Sequence, residues 1–314
     1  MNLGNRTFRR LKLSDLRIFH AVVQRGGMAK AATELNISQP AVSKAIAALE
    51  HTLGVRLLER HPQGVDPTLY GRALLKGGIA VFDELEQSVK EIGFLADATA
   101  GELRIGCTEP LAAGFVAEVI ATLSARYPRV AFEVVAADPV TLMERELRQR
   151  HIELSVVPIP GLNIGGDINL EILLNDRQVV MAGVQNKWVR RRNLRLADLV
   201  DEPWLIPPPD SIIGRSIAEA FRTSGLELPR ARVVTFSIPL CYQLLSRGSF
   251  LAMLPVSMAR LGGELPLKIL RVAIPGIDRP IAIVTLKKRT LSPLAHVFIR
   301  EARELAGRLK SSNR

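Results

Sequence analysis

The sequence predicts an all-α N-terminal part that runs into one long helix, followed by a larger α/β part. Three observations predict it. Residues 11–100 place apolar side chains three and four apart, with no alternating run of strand length. Beyond Gly101, short apolar runs alternate with helical ones. The 314 residues, 47% of them hydrophobic and 23% charged, suit a globular chain of about two domains.

The elements follow in order. Leu16, Phe19, Val22 and Val23 line one face of a first helix, which Ser14 and Asp15 can cap and Gly26-Gly27 ends. Met28 to Leu35 reads as a short second helix whose Ala31 and Ala32 permit close approach of a neighbour, and Asn36-Ile37 makes a turn. Ser38 stands at the next N-cap and Pro40 falls in the first turn, where its missing N–H costs little. Val42, Ile46, Leu49 and Leu53 then form one stripe up to Gly54.

Two short helices joined by a tight turn have the layout of a helix-turn-helix. Burial of the stripe leaves Ser38, Gln39, Ser43 and Lys44 pointing outward, with the reach to enter a major groove. Gln can pair bidentately with adenine, and Lys and Ser can reach bases or phosphates. Residues 55–68, with Arg56, Arg60 and His61 around Pro62 and Gly64, fit a two-stranded wing whose cations lie against phosphates. Taken singly, each of these residues also suits an ordinary solvated surface. Residues 1–66 carry 10 Lys+Arg against 5 Asp+Glu, the densest positive block of a chain whose net charge is +11. The positive runs at Lys187 to Arg195 and from Lys287 onward read as solvated surface.

The run from Leu16 to Gly71 carries a family pattern. With Phe19, Ala31-Ala32, Leu35, Ser38-Gln39-Pro40-Ala41-Val42-Ser43, Ile46, Leu49-Glu50, Leu53-Gly54, Leu57, Arg60 and Thr68, it closely resembles the DNA-binding domain of LysR-type transcriptional regulators. Leu58, where that family usually has Phe, and Pro67, where an apolar residue is common, are departures beside the wing. The resemblance implies a winged helix-turn-helix over residues 1–68 that binds double-stranded DNA, with Ala31, Pro40 and Ala41 joining the polar residues at the interface.

From Thr68 to about Thr99 one helix is expected, with Leu75, Ile79, Phe82, Leu85, Val89 and Ile92 on a narrow seam. At 1.5 Å per residue it spans roughly 48 Å, too long to pack wholly on a small winged domain. A helix pair between two chains would cover the seam, and packing on the chain's own C-terminal part is the alternative. The resemblance favours dimerisation through residues 69–100, and implies homodimers or homotetramers.

Strands at Leu103 to Gly106, Val130 to Ala136 and Leu154 to Pro158 alternate with helices at Leu111 to Tyr127 and Val140 to Arg150. Leu170 to Leu174 and Gln178 to Gly183 then lead into a second lobe containing Trp204 to Ile206, a helix from Ile212 and Val233 to Phe236; Ile281 to Leu286 and Pro293 to Leu309 return to the first. This order resembles the effector-binding half of the same family, a periplasmic-binding-protein-like domain of two Rossmann-like lobes. Its expected limits are 101–314, with lobe I about 101–170 and 278–314 and lobe II about 171–277.

Ligands of open α/β lobes sit beyond the carboxyl ends of strands, facing helix N-termini. Cys107, Thr108 and Glu109, then Asp210 and Ser211, then Ser237 and Ile238, stand at such junctions, and Arg215 lies one turn into its helix. Helix capping alone would also explain the hydroxyls. Thr108 matches a family position that often touches a small-molecule effector, while Glu109 would oppose a carboxylate and leaves the ligand's charge open.

No catalytic role, metal or cofactor is expected. The sequence holds no G-x-S-x-G elbow, Walker A loop, H-E-x-x-H pair or G-x-G-x-x-G turn, and the five histidines are scattered. Cys107 could serve as a nucleophile or redox sensor, although a packed thiol is the plainer reading. Two cysteines, no visible leader and no apolar run approaching the ~20 residues of a membrane span suggest a cytoplasmic protein without a membrane partner. An effector-binding protein without DNA activity is the nearest alternative, against which the helix-turn-helix run argues.

Overall fold

The computed structural model describes residues 10–159, 164–261, 266–275 and 279–311. The chain forms two compact units, one ending at Ser88 and the other starting at Val89.

The first unit contains α1 (Leu13–Arg25), α2 (Met28–Leu35) and α3 (Gln39–Leu53), then the antiparallel hairpin β1 (Leu58–His61) and β2 (Gly64–Pro67). Helix α4 (Leu69–Ala96) begins here and continues into the second unit. Lys12 holds the N-cap position of α1 without a side-chain bond, so Ser14 and Asp15 lie inside the first turn instead of capping it. Gly26 ends α1 at φ +64°, and Asn36 turns the chain between α2 and α3 at φ +53°, both left-handed. Ser38 accepts the Ala41 N–H at 3.3 Å, as its N-cap position demands. Phe19, Val22, Ala31, Val42, Ile46, Leu49 and Leu57 form the core. Leu74 and Leu75 of α4 pack against it.

Two glycines hold the wing in place. A Cβ on Gly64 would meet the Gly26 carbonyl oxygen at 2.3 Å, with φ +149°, and one on Gly71 would meet the Leu57 oxygen at 2.1 Å. Only glycine permits these approaches of backbone to backbone.

The second unit has two five-stranded sheets. The first follows the order β4 (Arg129–Ala136), β3 (Ala100–Cys107), β5 (Leu154–Pro158), β12 (Pro280–Leu286), β6 (Ile168–Asn175). The second follows β11 (Leu267–Ile269), β7 (Gln178–Gly183), β10 (Leu251–Pro255), β8 (Trp204–Ile206), β9 (Ala231–Val234). Strands β3, β4 and β5 run parallel, as do β8, β9 and β10; β12 runs antiparallel to its neighbours β5 and β6, and β7 antiparallel to its neighbours β10 and β11.

Side chains alternate between the two faces of each sheet with the period of a strand. Leu103, Ile105, Leu154, Val156, Ile281 and Ile283 pack with Phe115 and with Phe298 of α8 (Pro293–Ser311). Val157, Ala282 and Val284 face Leu142 and Leu147 on the other side. In the second sheet Trp204, Ile206, Leu251 and Met253 meet Phe221 of α6 (Ile212–Thr223), whose ring lies edge-on to Trp204 at 5.5 Å. Leu205, Ala252 and Leu254 face α7 (Ile238–Ser246). Helix α5 (Ala117–Arg126) is preceded by a short turn at Glu109–Leu111 and a π-helical stretch at Ala112–Val116, where one unbroken helix was expected.

The crossing between lobes falls later than the sequence reading placed it. Leu170 to Leu174 remain in the first sheet, because β6 pairs with β12 along its length, and the chain leaves after Asn175 to enter β7 at Gln178. Asp176 donates its N–H to the Arg279 carbonyl at 2.9 Å, so the outgoing and returning segments lie side by side. The end of α4 is fastened to the first lobe by Lys90, which reaches the buried Glu153 at 2.9 Å; the other Glu153 oxygen accepts the Ser292 N–H.

Candidate functional site

The first unit presents a polar face on α3. Its inner stripe of Val42, Ala45, Ile46 and Leu49 is buried, which turns Gln39, Pro40, Ala41 and Lys44 to the surface and leaves Ser43 half-buried beside them. The side chains of Gln39, Ser43 and Lys44 make no hydrogen bond or ion pair among the described residues. Arg56 and Arg60 are exposed next to this face's helix, and their guanidinium groups are likewise unpaired there. Glu50, in the last turn of α3, accepts the N–H groups of Leu57 (2.7 Å) and Leu58 (3.3 Å) through one oxygen, so helix and wing are joined by a carboxylate. Thr68 ties the other end: its hydroxyl donates to the Arg56 carbonyl at 2.8 Å and accepts the Gly71 N–H at 3.0 Å.

The second unit holds a cavity of about 650 Å³ between its lobes, within the size range of small-molecule sites. It lies beyond the carboxyl ends of the parallel strands, bounded by Thr108, Ala137 and Pro158 on one lobe and by Pro207, Thr235 and Pro255 on the other. Most of its acidic groups are already bonded. Glu109 reaches across the lobes to accept the Ile238 N–H at 3.1 Å, at the start of α7. Asp138 accepts the N–H groups of Val140 and Thr141, and Asp176 takes both the N–H and the hydroxyl of Ser257. Arg215 donates to the Asp210 carbonyl.

A helix-turn-helix with a wing, followed by two α/β lobes around a cleft, matches two family models. Residues 13–72 match the bacterial regulatory helix-turn-helix protein, lysR family, and residues 96–307 match the LysR substrate binding domain. The chain belongs to the LysR family of transcriptional regulators. It is 30% identical over 222 residues to the transcriptional regulator GbpR of Azospirillum brasilense, an alignment covering 70% of this chain and 65% of that one. It is 26% identical to the regulator YdcI of Escherichia coli, over 94% of this chain and 96% of that one. Among solved structures, CbnR shares the fold at a TM-score of 0.62 and 21% identity, covering 94% of this chain and 99% of its own. A full-length OxyR variant from Pseudomonas aeruginosa does so at 0.66 and 19%, covering 93% and 95%. CbnR has also been solved in complex with its target DNA, with a TM-score of 0.54 to this chain at 21% identity, covering 94% of this chain and 100% of CbnR.

This LysR-family chain is thus a transcriptional regulator rather than an enzyme, pairing a DNA-binding helix-turn-helix with an effector-binding domain. No helix among the described residues is long and apolar enough to cross a membrane.

The fold corrects several residue assignments. Ala31, expected at the DNA interface, is fully buried in the N-terminal core, where its small size lets α2 approach its neighbours. His61 is occupied within the wing, with Nε2 at 3.1 Å from Asp66 and Nδ1 at 3.2 Å from Gln63. Cys107 points into the first lobe's core and does not line the cavity; burial pushes its thiol up to about 12, which removes it as a nucleophile or thiolate sensor. Ser237 does not line the cavity either, and its hydroxyl accepts the Leu240 N–H at 3.3 Å as a helix cap. Leu75, placed on the dimer seam, is partly buried against its own domain.

Thr108, Glu109, Ser211, Arg215 and Ile238 do line the cavity, although Ser211 also caps α6 through the Gly214 N–H at 3.0 Å. Along α4, Ile79 and Phe82 are half-buried, while Leu85, Val89 and Ile92 are exposed. Sequence reasoning missed Gln178 and Arg279, both on the cavity wall. They belong to no motif and come together only where the two connecting segments meet.

Proposed function

We propose that this regulator reads one operator half-site with the exposed first turn of α3 and grips the flanking phosphates with its wing. Ser38, Gln39, Pro40, Ala41, Ser43 and Lys44 enter the major groove; Arg56 and Arg60 lie on the phosphate backbone, with His61, held by Asp66, at the tip of the same strand as Arg60. Residues 69–100 join two copies through Ile79, Phe82, Leu85, Val89 and Ile92, so that paired half-sites are held together. Residues 101–314 bind a small-molecule effector through Thr108, Glu109, Ser211, Arg215 and Ile238, and the protein works in the cytoplasm as a homodimer or homotetramer. The reading is carried by the polar face of α3, whose groups have no partner within the described protein although the stripe behind them is fully packed.

Titration of operator DNA at several salt concentrations tests it. Gln39→Ala should lose about 1–3 kcal/mol of preference at one base position, while Arg56→Ala should weaken all sequences alike and flatten the salt dependence. Unchanged operator affinity in both variants refutes the assignment.

A further inference from the structure

Residues 187–195 hold five Lys and Arg and no Asp or Glu. In sequence they read as solvated surface, but the fold anchors the run from beneath and brings other cations to it. Leu194 and Leu196 are buried, and Trp188 and Val189 pack against the second lobe's core, so Arg190, Arg191 and Arg192 are exposed on a fixed backbone. The run opens with a 3-10 turn, Lys187–Arg190. Its N-cap, Asn186, accepts the Trp188 N–H at 3.0 Å and donates its amide to the Gly248 carbonyl at 2.7 Å, which fixes the backbone next to Arg247 at the start of the run. At the other end Leu194 bridges to Val272, the neighbour of Arg271. Strand β11 sets Lys268 opposite Ala182 of β7, and directly opposed residues share a face, here the one on which Trp188 and Leu194 pack.

These cations outnumber the acids within reach. Glu202 takes Lys187 at 2.7 Å and Asp198 takes Arg195 at 3.2 Å. Arg191 adds a weaker attraction to Asp198, and Asp201 is the remaining acid of residues 187–203. The side chains of Arg190, Arg191, Arg192, Arg247, Lys268 and Arg271 are exposed and make no hydrogen bond or ion pair among the described residues. Several exposed arginines elsewhere in the same unit are matched: Arg129 with Asp97, Arg222 with Glu219, Arg303 with Glu171.

We propose that this face of the second lobe is a further DNA contact, a sequence-independent seat for the phosphates of duplex flanking the operator. Five of its six unpaired cations are arginines, whose planar fork matches phosphate oxygens. Trp188 is half-buried with Lys187 over its ring at 5.2 Å, so it offers no stacking platform for unpaired bases, and duplex fits better than single strand. Val184 and Ile269 are the exposed apolar residues of β11 and the end of β7, two aliphatic side chains without the aromatic anchor that protein interfaces favour. Once the winged unit holds an operator, the adjoining duplex is the polyanion at the highest local concentration, so even a weak contact is populated.

A full chain carrying Lys44→Ala, Arg56→Ala and Arg60→Ala, which loosens the winged unit's hold on DNA, brings the second contact into view. Its residual binding to a mixed-sequence duplex of about 60 bp is titrated at several salt concentrations. Adding Arg190→Gln, Arg191→Gln and Arg192→Gln together should flatten the slope of log affinity against log salt by about 2–3, and weaken binding roughly tenfold or more at low salt. The same loss of charge at Arg126→Gln, Arg145→Gln and Arg300→Gln, exposed arginines on three different helical segments, should change affinity by no more than about twofold. Both sets should melt as the parent does, because none of the six side chains carries an ion pair among the described residues. Should the 190–192 set fail to fold, Lys268→Gln with Arg271→Gln takes its place, with an expected flattening of about 1–2. Equal losses in the patch and control sets would mean that net charge alone acts, and overturn the proposal, as would unchanged binding in the patch set. Poly-L-glutamate bound as tightly as the duplex, and released by the same substitutions, would make the partner an acidic protein and overturn it too. Since all these variants share one background, the result is independent of whether the polar face of α3 reads the operator.

Discussion

Replacing Glu50 with alanine removes one oxygen on which two backbone groups depend. The Leu57 and Leu58 N–H groups reach it at 2.7 and 3.3 Å, and these residues are only 1% and 4% exposed, so water is poorly placed to substitute. A hydrogen bond to a charged group contributes about 1.5–3 kcal/mol, and an unpaired buried donor costs about 1–3 kcal/mol. The first bond is short and the second long, so the pair is worth about 2–3 kcal/mol in all. In a unit of this size each kcal/mol shifts Tm by about 4–8 °C, so the N-terminal transition should fall on the order of 10–20 °C. Calorimetry of the full chain would follow that transition apart from the effector domain's, since a multidomain chain need not melt in one step. Glu50→Gln keeps a carbonyl acceptor and should recover about half of the loss. Amide exchange at Leu57 and Leu58 should accelerate in Glu50→Ala, and affinity for any DNA sequence should drop as Arg56 and Arg60 lose their fixed position. Wild-type exchange and melting in Glu50→Ala would refute the view that this carboxylate holds the wing to α3.

The exposed seam of α4 makes a second test: Val89→Asp with Ile92→Asp should shift light-scattering mass towards monomer and lower operator affinity while leaving both units folded, because both side chains are more than 60% exposed. A dimer that persists in this variant excludes the seam as the interface. Glu171 concerns acid stability. Its hydrogen bonds from Arg303, at 2.6 and 2.8 Å, hold its carboxyl below the ordinary 4.5, against the opposing effect of burial. A depressed carboxyl adds stability above its unfolded pKa and loses it as pH falls through the folded value. Wild type should therefore lose stability from about pH 5 downward more steeply than Glu171→Gln, by less than about 1 kcal/mol because the pair is largely solvated. Parallel acid melting curves would count against the pair.

Much of the N-terminal unit was legible because its signals are local. Ser38 before Pro40, the stripe from Val42 to Leu49, and Gly26, Asn36 and Gly54 at turns act within a few residues of chain, where capping and backbone conformation are decided. The alternating runs after Gly101 exposed the α/β architecture for the same reason. The expected residues that line the cavity, Thr108, Glu109, Ser211, Arg215 and Ile238, all stand at strand ends or helix starts, places that a one-dimensional pattern reveals.

What escaped depended on contacts distant in sequence. Ala31 looked available and is buried, because three helices close over it; Cys107 and Ser237 adjoin the cleft in sequence but turn to the core and to a helix cap. The lobe crossing moved to Asn175 because β6 pairs with β12 more than a hundred residues later, and no periodicity within β6 states its partner. By itself the sequence determined the two architectures, the outward polar face of α3 and the strand-end positions beside the cleft, since periodicity, caps and turns are short-range. Only tertiary structure decided which of these groups line the cavity and which turn inward, because that depends on what the rest of the chain places around them: Thr108 lines the cleft, while Cys107 beside it in sequence packs into the first lobe's core.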